Sequence, residues 1–450
     1  MFYRLCATMA QSMIAYLREV YVARLTYRAC EASRAGRVNN IDSHAFFVSI
    51  IQLHTMGFVL KQIEKYSDNR VSFYETPKRI LNGIEQDFMA DFEDHANGTP
   101  GSRDEKYAES NPKKKDVLYH IIADEQINKR SNDSPMKYFM DGSRHVYKVG
   151  DILINGVVYP VVVGQIIIAS CRRDNRKIFH YDINRQIVMS LPDAFSYDWR
   201  LGINFFKKKC EEVNLELKER HETKGGFLLQ FDAFIPYDTS GDKELGRNKY
   251  LSRAISKVQN HMTDCERDKV KDICLEHVLN EDNAWLIKDG SLEYKRDMTN
   301  RTDDTLNKAL HDNNMRYVLG VSKGFNPELL IEIEPKIGKI IAELPNRART
   351  NAYVYNHEGH KYCVWYLRLR DTINKSNQFS DIIKVEFILL GDEIPSTAKI
   401  NQISAHLINE AYPVCYGKDS RWANHIYPIY LTESYAKSKY INDSLIINQI

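Results

Sequence analysis

The sequence lacks a net charge of either sign, closely spaced cysteines and a long apolar run. Its 62 Lys and Arg residues nearly cancel its 60 Asp and Glu residues, so any phosphate-binding surface must be local rather than a property of the whole molecule. Eight cysteines occur without a Cys-x-x-Cys pair or a Cys/His cluster of zinc spacing, which is typical of a reduced compartment. The most apolar stretch, residues 157–169, is interrupted by Pro160 and Gly164. We therefore expect a cytoplasmic protein without a membrane segment.

The pattern of the 450 residues predicts three regions. Residues 1–95 have apolar positions three and four apart and are predicted to form a helical N-terminal arm. Residues 96–115 are polar and rich in Gly, Pro and charge, which indicates a linker. Residues 116–450 alternate strand and helix patterns, which favours an α/β domain with a mixed sheet core flanked by helices.

Within the α/β domain, the residues after Lys137 predict three sequential antiparallel strands with turns at Asp141-Gly142, Asn155-Gly156 and Asp174-Asn175. A helix is expected over about 248–279, followed by short strands that end at Asp289 and Lys323. The last third predicts a helix over about 328–344, two strands and a helix over 397–410. Gly359, between His357 and His360, indicates a hairpin turn rather than a metal site.

The tripeptide Asp-Gly-Ser occurs twice, at Asp141 and at Asp289, each time after a short apolar segment. A carboxylate at the tip of a strand is rigidly placed, and the following glycine allows a sharp turn or the close approach of a phosphate. Asp-Gly is also a common turn without further function. Two copies in the same setting favour a pair of functional carboxylates.

A third carboxylate is predicted on the helix before the second copy. At 100° per residue, Glu266 lies about 40° from Val270, inside the apolar stripe that faces the core. A buried carboxylate requires a partner, which is either Arg267, His277 or a distant arginine, or a shared cation held with Asp141 and Asp289. Three oxygen ligands of this kind suit Mg²⁺ or Mn²⁺. Two such ions ~4 Å apart can promote phosphodiester hydrolysis.

Lys323 closes the strand that ends in Gly-Val-Ser-Lys. Its ammonium group at a strand end is suited to contact a phosphate oxygen or the charge that develops in a hydrolysis reaction. A solvated lysine at a strand end is the alternative interpretation.

Six short motifs follow one another in an order that resembles the NurA family of nucleases. They are FMDGS at 139–143, CERD at 265–268, IKDGS at 287–291, LGVSK at 319–323, IKVEF at 383–387 and YPIYL at 427–431. The resemblance implies a ribonuclease H-like fold, dependence on Mn²⁺ or Mg²⁺, a homodimer, and DNA as substrate, delivered by a HerA-like hexameric ATPase.

Carried over to this sequence, the resemblance makes Asp141, Glu266 and Asp289 the metal ligands and Tyr427 a supporting residue of the site. The family has a histidine shortly after its Tyr-Pro segment, where this chain has Ser434 and Tyr435. The role of that histidine is then vacant or passes to His425. The distance in sequence from Glu266 to Asp289 is longer than expected, which keeps Asp272 and Glu276 as alternatives for the helix ligand.

The function that follows from the resemblance is that of a metal-dependent DNA nuclease that acts with its translocase in DNA-end processing or antiphage defence. The alternative is a catalytically weak or inactive adaptor of the same fold that docks the ATPase or DNA ends. It is favoured by the missing histidine and the long N-terminal arm.

Overall fold

The structure is a computed structural model, and the residues that it describes belong to one compact unit, Gly57–Ile450. Within this unit the description leaves out residues 66–70, 75–77, 82–98, 101–105, 115–116, 129–133, 197–201, 241–246, 277–278, 280–283, 294–312, 314, 358, 371–377, 392 and 417–420. Most of the predicted helical arm, residues 1–56, lies outside the described residues. The division into arm, linker and domain stays a prediction.

Fourteen strands of the described chain join in one mixed sheet flanked by helices. The strands are β1 (Ser72–Tyr74), β2 (Arg79–Ile80), β3 (Thr99–Pro100), β4 (Tyr119–Ile121), β5 (Met136–Ile154), β6 (Val157–Asp174), β7 (Lys177–Pro192), β8 (Ala233–Tyr237), β9 (Trp285–Asp289), β10 (Val318–Ser322), β11 (Ala348–Thr350), β12 (Tyr353–His357), β13 (His360–Arg368) and β14 (Ile382–Leu389). The helices are α1 (Phe58–Lys65), α2 (Asp124–Asn128), α3 (Gly202–Lys224), α4 (Arg247–Glu276), α5 (Ile337–Ala342), α6 (Thr397–Glu410), α7 (Tyr427–Lys437) and α8 (Asp443–Ile447). The predicted α/β class with a mixed sheet is confirmed.

The main path of the sheet has the order β3-β12-β13-β14-β10-β9-β5-β6-β7-β8. β5, β6 and β7 form the predicted antiparallel meander. β9 then pairs parallel to β5, and β10 pairs parallel to β9. The crossing from the meander to β9 runs through α3, β8 and the 30-residue helix α4. Neighbouring parallel strands end at the same edge of a sheet, so the last residues of β9 and β10 lie side by side.

Of the three turns predicted around β5, β6 and β7, two are confirmed and one is wrong. The hairpin predicted at Gly359 is also confirmed, because His357 pairs with His360. Asn155, with a φ of 50°, and Asn175, with a φ of 54°, occupy the left-handed conformation that these turns require. No turn forms at Asp141-Gly142, because β5 runs on without a break and pairs Asp141 with Ala169 on β6. The long pairing with β6 overrides the local turn preference of Asp-Gly.

Gly142 is required for another reason, which is the close approach of α4. A Cβ at this position would lie 2.0 Å from Oε1 of Glu266. Gly164 on β6 serves the same helix, since a Cβ there would lie 2.4 Å from Cγ1 of Val258. Because successive residues of a strand face opposite sides of a sheet, Gly142 faces α4 while Asp141 faces the other side.

Two helix predictions are wrong in part. Residues 72–74 and 79–80, predicted as helix, are strands that pair with β5. The described part of the predicted linker packs against the sheet, with Ala108 and Glu109 buried. The helix expected over 328–344 is reduced to turns and the short α5, because Pro335 has no N–H to continue a helix. α6 has the predicted bounds.

No described helix has the length and apolar character needed to cross a membrane.

Candidate metal centre

A cleft of about 250 Å³ opens where β9 and β10 end beside the middle of β5. Both acidic and basic side chains line it: Asp141, Glu266, Asp289, Glu293, Arg144, Lys288, Lys323 and Arg421. Sequence analysis placed Asp141, Glu266, Asp289 and Lys323 in one site, and the structure brings all four to this cleft.

Register explains why Asp141 and Asp289 meet. Met140 on β5 is opposite Lys288 on β9, so the next residues, Asp141 and Asp289, fall on neighbouring strands at the same level. Val321 on β10 is opposite Asp289, which brings Lys323 just beyond the same edge. Asp289 ends its strand as predicted, whereas Asp141 reaches this edge from within β5 because β9 stops beside it.

Three carboxylates of this region form a group that is suited to hold a metal ion. Asp141, Asp289 and Glu433 each offer one oxygen, and these oxygens all lie within 4.8 Å of one another. Asp141 is buried, with 5% of its surface exposed, and the other two are largely buried. Glu433 lies on α7, which packs on the face of the sheet opposite α4. The third member of the group therefore comes from α7 and not from α4.

Lys323 supplies positive charge to this group. Its Nζ lies 2.8 Å from Oδ2 of Asp289 and 3.1 Å from Oε2 of Glu433. Burial alone would lower the pKa of this ammonium group, but Asp289, Glu433 and Asp141 raise it above its ordinary value. Lys323 therefore stays charged and holds two of the three carboxylates.

Glu433 is ionised for the same reason. Burial acts to raise its pKa, but Lys323, Lys437 and His425 outweigh that effect and lower the pKa to about 2. Nε2 of His425 lies 3.6 Å from Oε2 of Glu433. His425, which was proposed from the sequence, therefore contacts the carboxylate group at its member Glu433.

Asp141 behaves in the opposite way. Its burial and the neighbouring charge of Asp289 raise its pKa well above the ordinary value, and Lys323 compensates only in part. Three carboxylates face only two lysines here, Lys323 and the exposed Lys437, so the charged form of Asp141 requires a further cation. Hard carboxylate oxygens of this kind are the donor set that Mg²⁺ and Mn²⁺ prefer, so the residues present fit a divalent cation.

Glu266 is buried on the core face of α4, as the helical stripe predicts, with 5% of its surface exposed. Its partner is Lys288 on β9, whose Nζ lies 3.0 Å from Oε2. The alternatives considered from sequence were arginine, histidine or a shared cation. Glu266 faces the cleft but lies outside the group of three carboxylates. Asp272 is exposed, and the side chain of Glu276 is outside the described residues.

Tyr427 begins α7 and is half-buried, and it does not line the cleft. The residue of this segment that reaches the carboxylate group is Glu433, which sequence analysis missed. A helical signal was available: Glu433 lies four residues after Ile429 and three before Ala436, both buried on α7. The same stripe argument that identified Glu266 would have identified it.

Comparison with solved structures finds a distant similarity. The crystal structure of the NurA nuclease from Sulfolobus solfataricus superposes with a TM-score of 0.33 and 12% sequence identity, covering 79% of this chain and 89% of that one. No family model and no curated protein matches the sequence.

Proposed function

We propose that this chain is a DNA nuclease that depends on Mn²⁺ or Mg²⁺, bound as one ion or a pair. The supporting observation is the convergence of Asp141, Asp289 and Glu433, whose oxygens lie within 4.8 Å of one another. Asp141 and Asp289 line the cleft together with Glu266. Divalent ions, when bound to such oxygens, lower the pKa of water and neutralise charge on a phosphate.

The chain's own residues then have separate tasks. Asp141, Asp289 and Glu433 hold the cation, and Lys288 fixes the carboxylate of Glu266 at the wall of the cleft. Lys323 keeps Asp289 and Glu433 in place and presents its ammonium group to a phosphate oxygen.

Positive charge in the lining of the cleft supports a polyanionic substrate. Arg144 and Arg421 line the cleft, and guanidinium groups bind phosphate in a bidentate manner. This is the local phosphate-binding surface that a chain of net charge +2 requires.

The proposal extends to fold and partners. The strand order β7-β6-β5-β9-β10, an antiparallel meander followed by two parallel strands, supports a ribonuclease H-like core. The order of the six motifs supports a homodimer that receives DNA from a HerA-like hexameric ATPase, in DNA-end processing or antiphage defence. Co-purification of the chain with such an ATPase, and sedimentation of the chain alone as a dimer, test these two assignments. A monomer that fails to retain the ATPase contradicts both.

Activity is tested with linear and single-stranded DNA in Mn²⁺ or Mg²⁺, with EDTA as the blank. Asp141→Asn and Asp289→Asn each are expected to lower the cleavage rate at least ~100-fold, since each removes a ligand charge worth several kcal/mol in the transition state. Asp268→Asn is the matched control, because Asp268 is an exposed residue of α4. Undiminished cleavage by Asp141→Asn contradicts the proposal.

The adaptor remains a second candidate because Lys323 already gives Asp289 and Glu433 a cation. Calorimetric titration with Mn²⁺ separates the two functions. A nuclease binds Mn²⁺ in a manner that Asp141→Asn abolishes, whereas an adaptor whose group is closed by Lys323 binds none.

A further inference from the structure

Glu386, in the middle of β14, is a buried carboxylate to which sequence analysis gave no role. None of its surface is exposed. Oε1 accepts a hydrogen bond from the hydroxyl of Ser291 at 2.7 Å, and it also accepts one from the backbone N–H of Leu292. Both donors belong to the turn that directly follows Asp289.

This turn is packed closely against the neighbouring strands. Gly290 has a φ of 86°, and its N–H donates to the carbonyl of Val321 on β10. A Cβ on Gly320 would lie 3.0 Å from the carbonyl oxygen of Gly290 and 3.0 Å from Cγ of Glu386. The turn therefore sits directly over Gly320 and beside Glu386.

The charge of Glu386 is retained despite its burial. Burial acts to raise its pKa, but Lys384 and the hydrogen bonds from Leu292 and Ser291 lower the pKa below its ordinary value. Nζ of Lys384 lies 3.3 Å from Oε2. One oxygen of Glu386 thus binds the lysine while the other binds the turn.

We propose that Glu386 is a positioning residue for the metal centre: by binding Ser291 and Leu292 it fixes the turn that aims the carboxylate of Asp289 at Asp141 and Glu433. The inference rests on the proposed function, since it assumes that Asp289 is a ligand. Removal of a group that orients a metal ligand typically weakens metal binding about 10- to 100-fold. We expect an effect of this size when Glu386 is replaced.

The experiment measures the Mn²⁺ dissociation constant by calorimetry, well below the Tm of each variant. Glu386→Met keeps the length of the side chain but removes both acceptors, and we expect at least ~10-fold weaker binding. Glu386→Gln keeps an oxygen for Ser291 and Leu292, and binding is expected to stay within ~3-fold of the parent chain, since the hydrogen bonds to the turn remain.

Glu109 provides the matched control, because it is an equally buried glutamate away from the cleft. Its carboxylate accepts from the N–H of Ala352 at 2.8 Å and pairs with Arg349 at 2.8 Å. Glu109→Met is expected to lower the Tm as Glu386→Met does, without weakening Mn²⁺ binding. Equal weakening by both variants shows a general loss of stability and overturns the inference.

Further outcomes separate this inference from the proposed function. If the parent chain binds no Mn²⁺, both the proposed function and the role of Glu386 are overturned. If the parent chain binds Mn²⁺ and Glu386→Met binds it equally well, only the positioning role of Glu386 is overturned. Should Glu386→Met fail to fold, Ser291→Ala decides, because it removes one hydrogen bond and is expected to weaken binding about fivefold. Unchanged binding by that variant overturns the inference.

Discussion

Replacement of Lys323 by methionine tests the electrostatics of the carboxylate group directly. Methionine keeps the apolar stem and removes the ammonium group, which lies 2.8 Å from Asp289 and 3.1 Å from Glu433. The side chain of Lys323 is 9% exposed, so water cannot replace the lost charge effectively. We expect the metal-free variant to be less stable than the parent chain at neutral pH.

The size of the loss can be worked from Glu433. Its pKa lies at about 2 against an ordinary 4.5, and a difference of this size corresponds to roughly 3 kcal/mol of stability, to which Lys437 and His425 also contribute. Breaking a buried ion pair costs a similar amount, about 3–5 kcal/mol. With an unfolding entropy of about 2.1 cal/mol/K per residue, this corresponds to a Tm lower by about 3 °C.

The sign of the pH dependence follows from the lowered pKa. Glu433 contributes its full stabilisation above pH 4.5, and the contribution is lost as the pH falls toward 2. The gap in Tm between Lys323→Met and the parent chain should therefore narrow below pH 4.5. Saturating Mn²⁺ should raise the Tm of the variant more than that of the parent, because the ion takes over the charge that the lysine supplied.

Lys437→Met is the control for this experiment. Lys437 also pairs with Glu433, but its side chain is 57% exposed, and pairs of that kind contribute about 0–1 kcal/mol. If Lys323→Met in EDTA melts at the temperature of the parent chain, or if the two lysine variants are lowered equally, the electrostatic account of the site is refuted.

Two further predictions concern the stability of the fold. Gly142→Ala would place a Cβ 2.0 Å from Oε1 of Glu266, so we expect a loss of about 1–3 kcal/mol in thermal denaturation, and a variant as stable as the parent chain would contradict the close approach of α4. Glu109, whose pKa Arg349 and His120 lower to about 2 despite burial, stabilises the fold above pH 4.5 and loses this effect toward pH 2. Glu109→Gln should therefore flatten the acid limb of the stability curve, and an unchanged limb would argue against this pair as its source.

Periodicity predicted much of the sheet and part of the site, since both depend on local patterns. The strands that end at Asp289 and near Lys323 were recognised from short apolar runs with defined ends. Glu266 was recognised because the long helix α4 gives a clear apolar stripe, and a carboxylate inside it conflicts with the pattern. Each of these features depends on the sequence of a single strand or helix.

The features that were missed depend on contacts between distant segments. Lys288 was missed as the partner of Glu266 because this ion pair joins α4 to β9, and no local pattern contains such a contact. The turn expected at Asp141-Gly142 is absent because β5 pairs with β6 through these residues, and the glycine instead makes room for Glu266, more than a hundred residues later in the chain. Glu433 escaped because its segment was interpreted by its Tyr-Pro motif and its aromatic residues rather than by helical spacing.

The position of Glu433 on α7 has a consequence for the protein during its synthesis. Asp141 leaves the ribosome early, Asp289 follows much later, and the third carboxylate arrives only with a helix near residue 430. A partly synthesised chain carries the sheet but not the complete set of oxygens. Under the proposed function, nascent chains therefore cannot cleave nucleic acid until α7 has docked. A premature stop before that helix yields a protein without the complete carboxylate group.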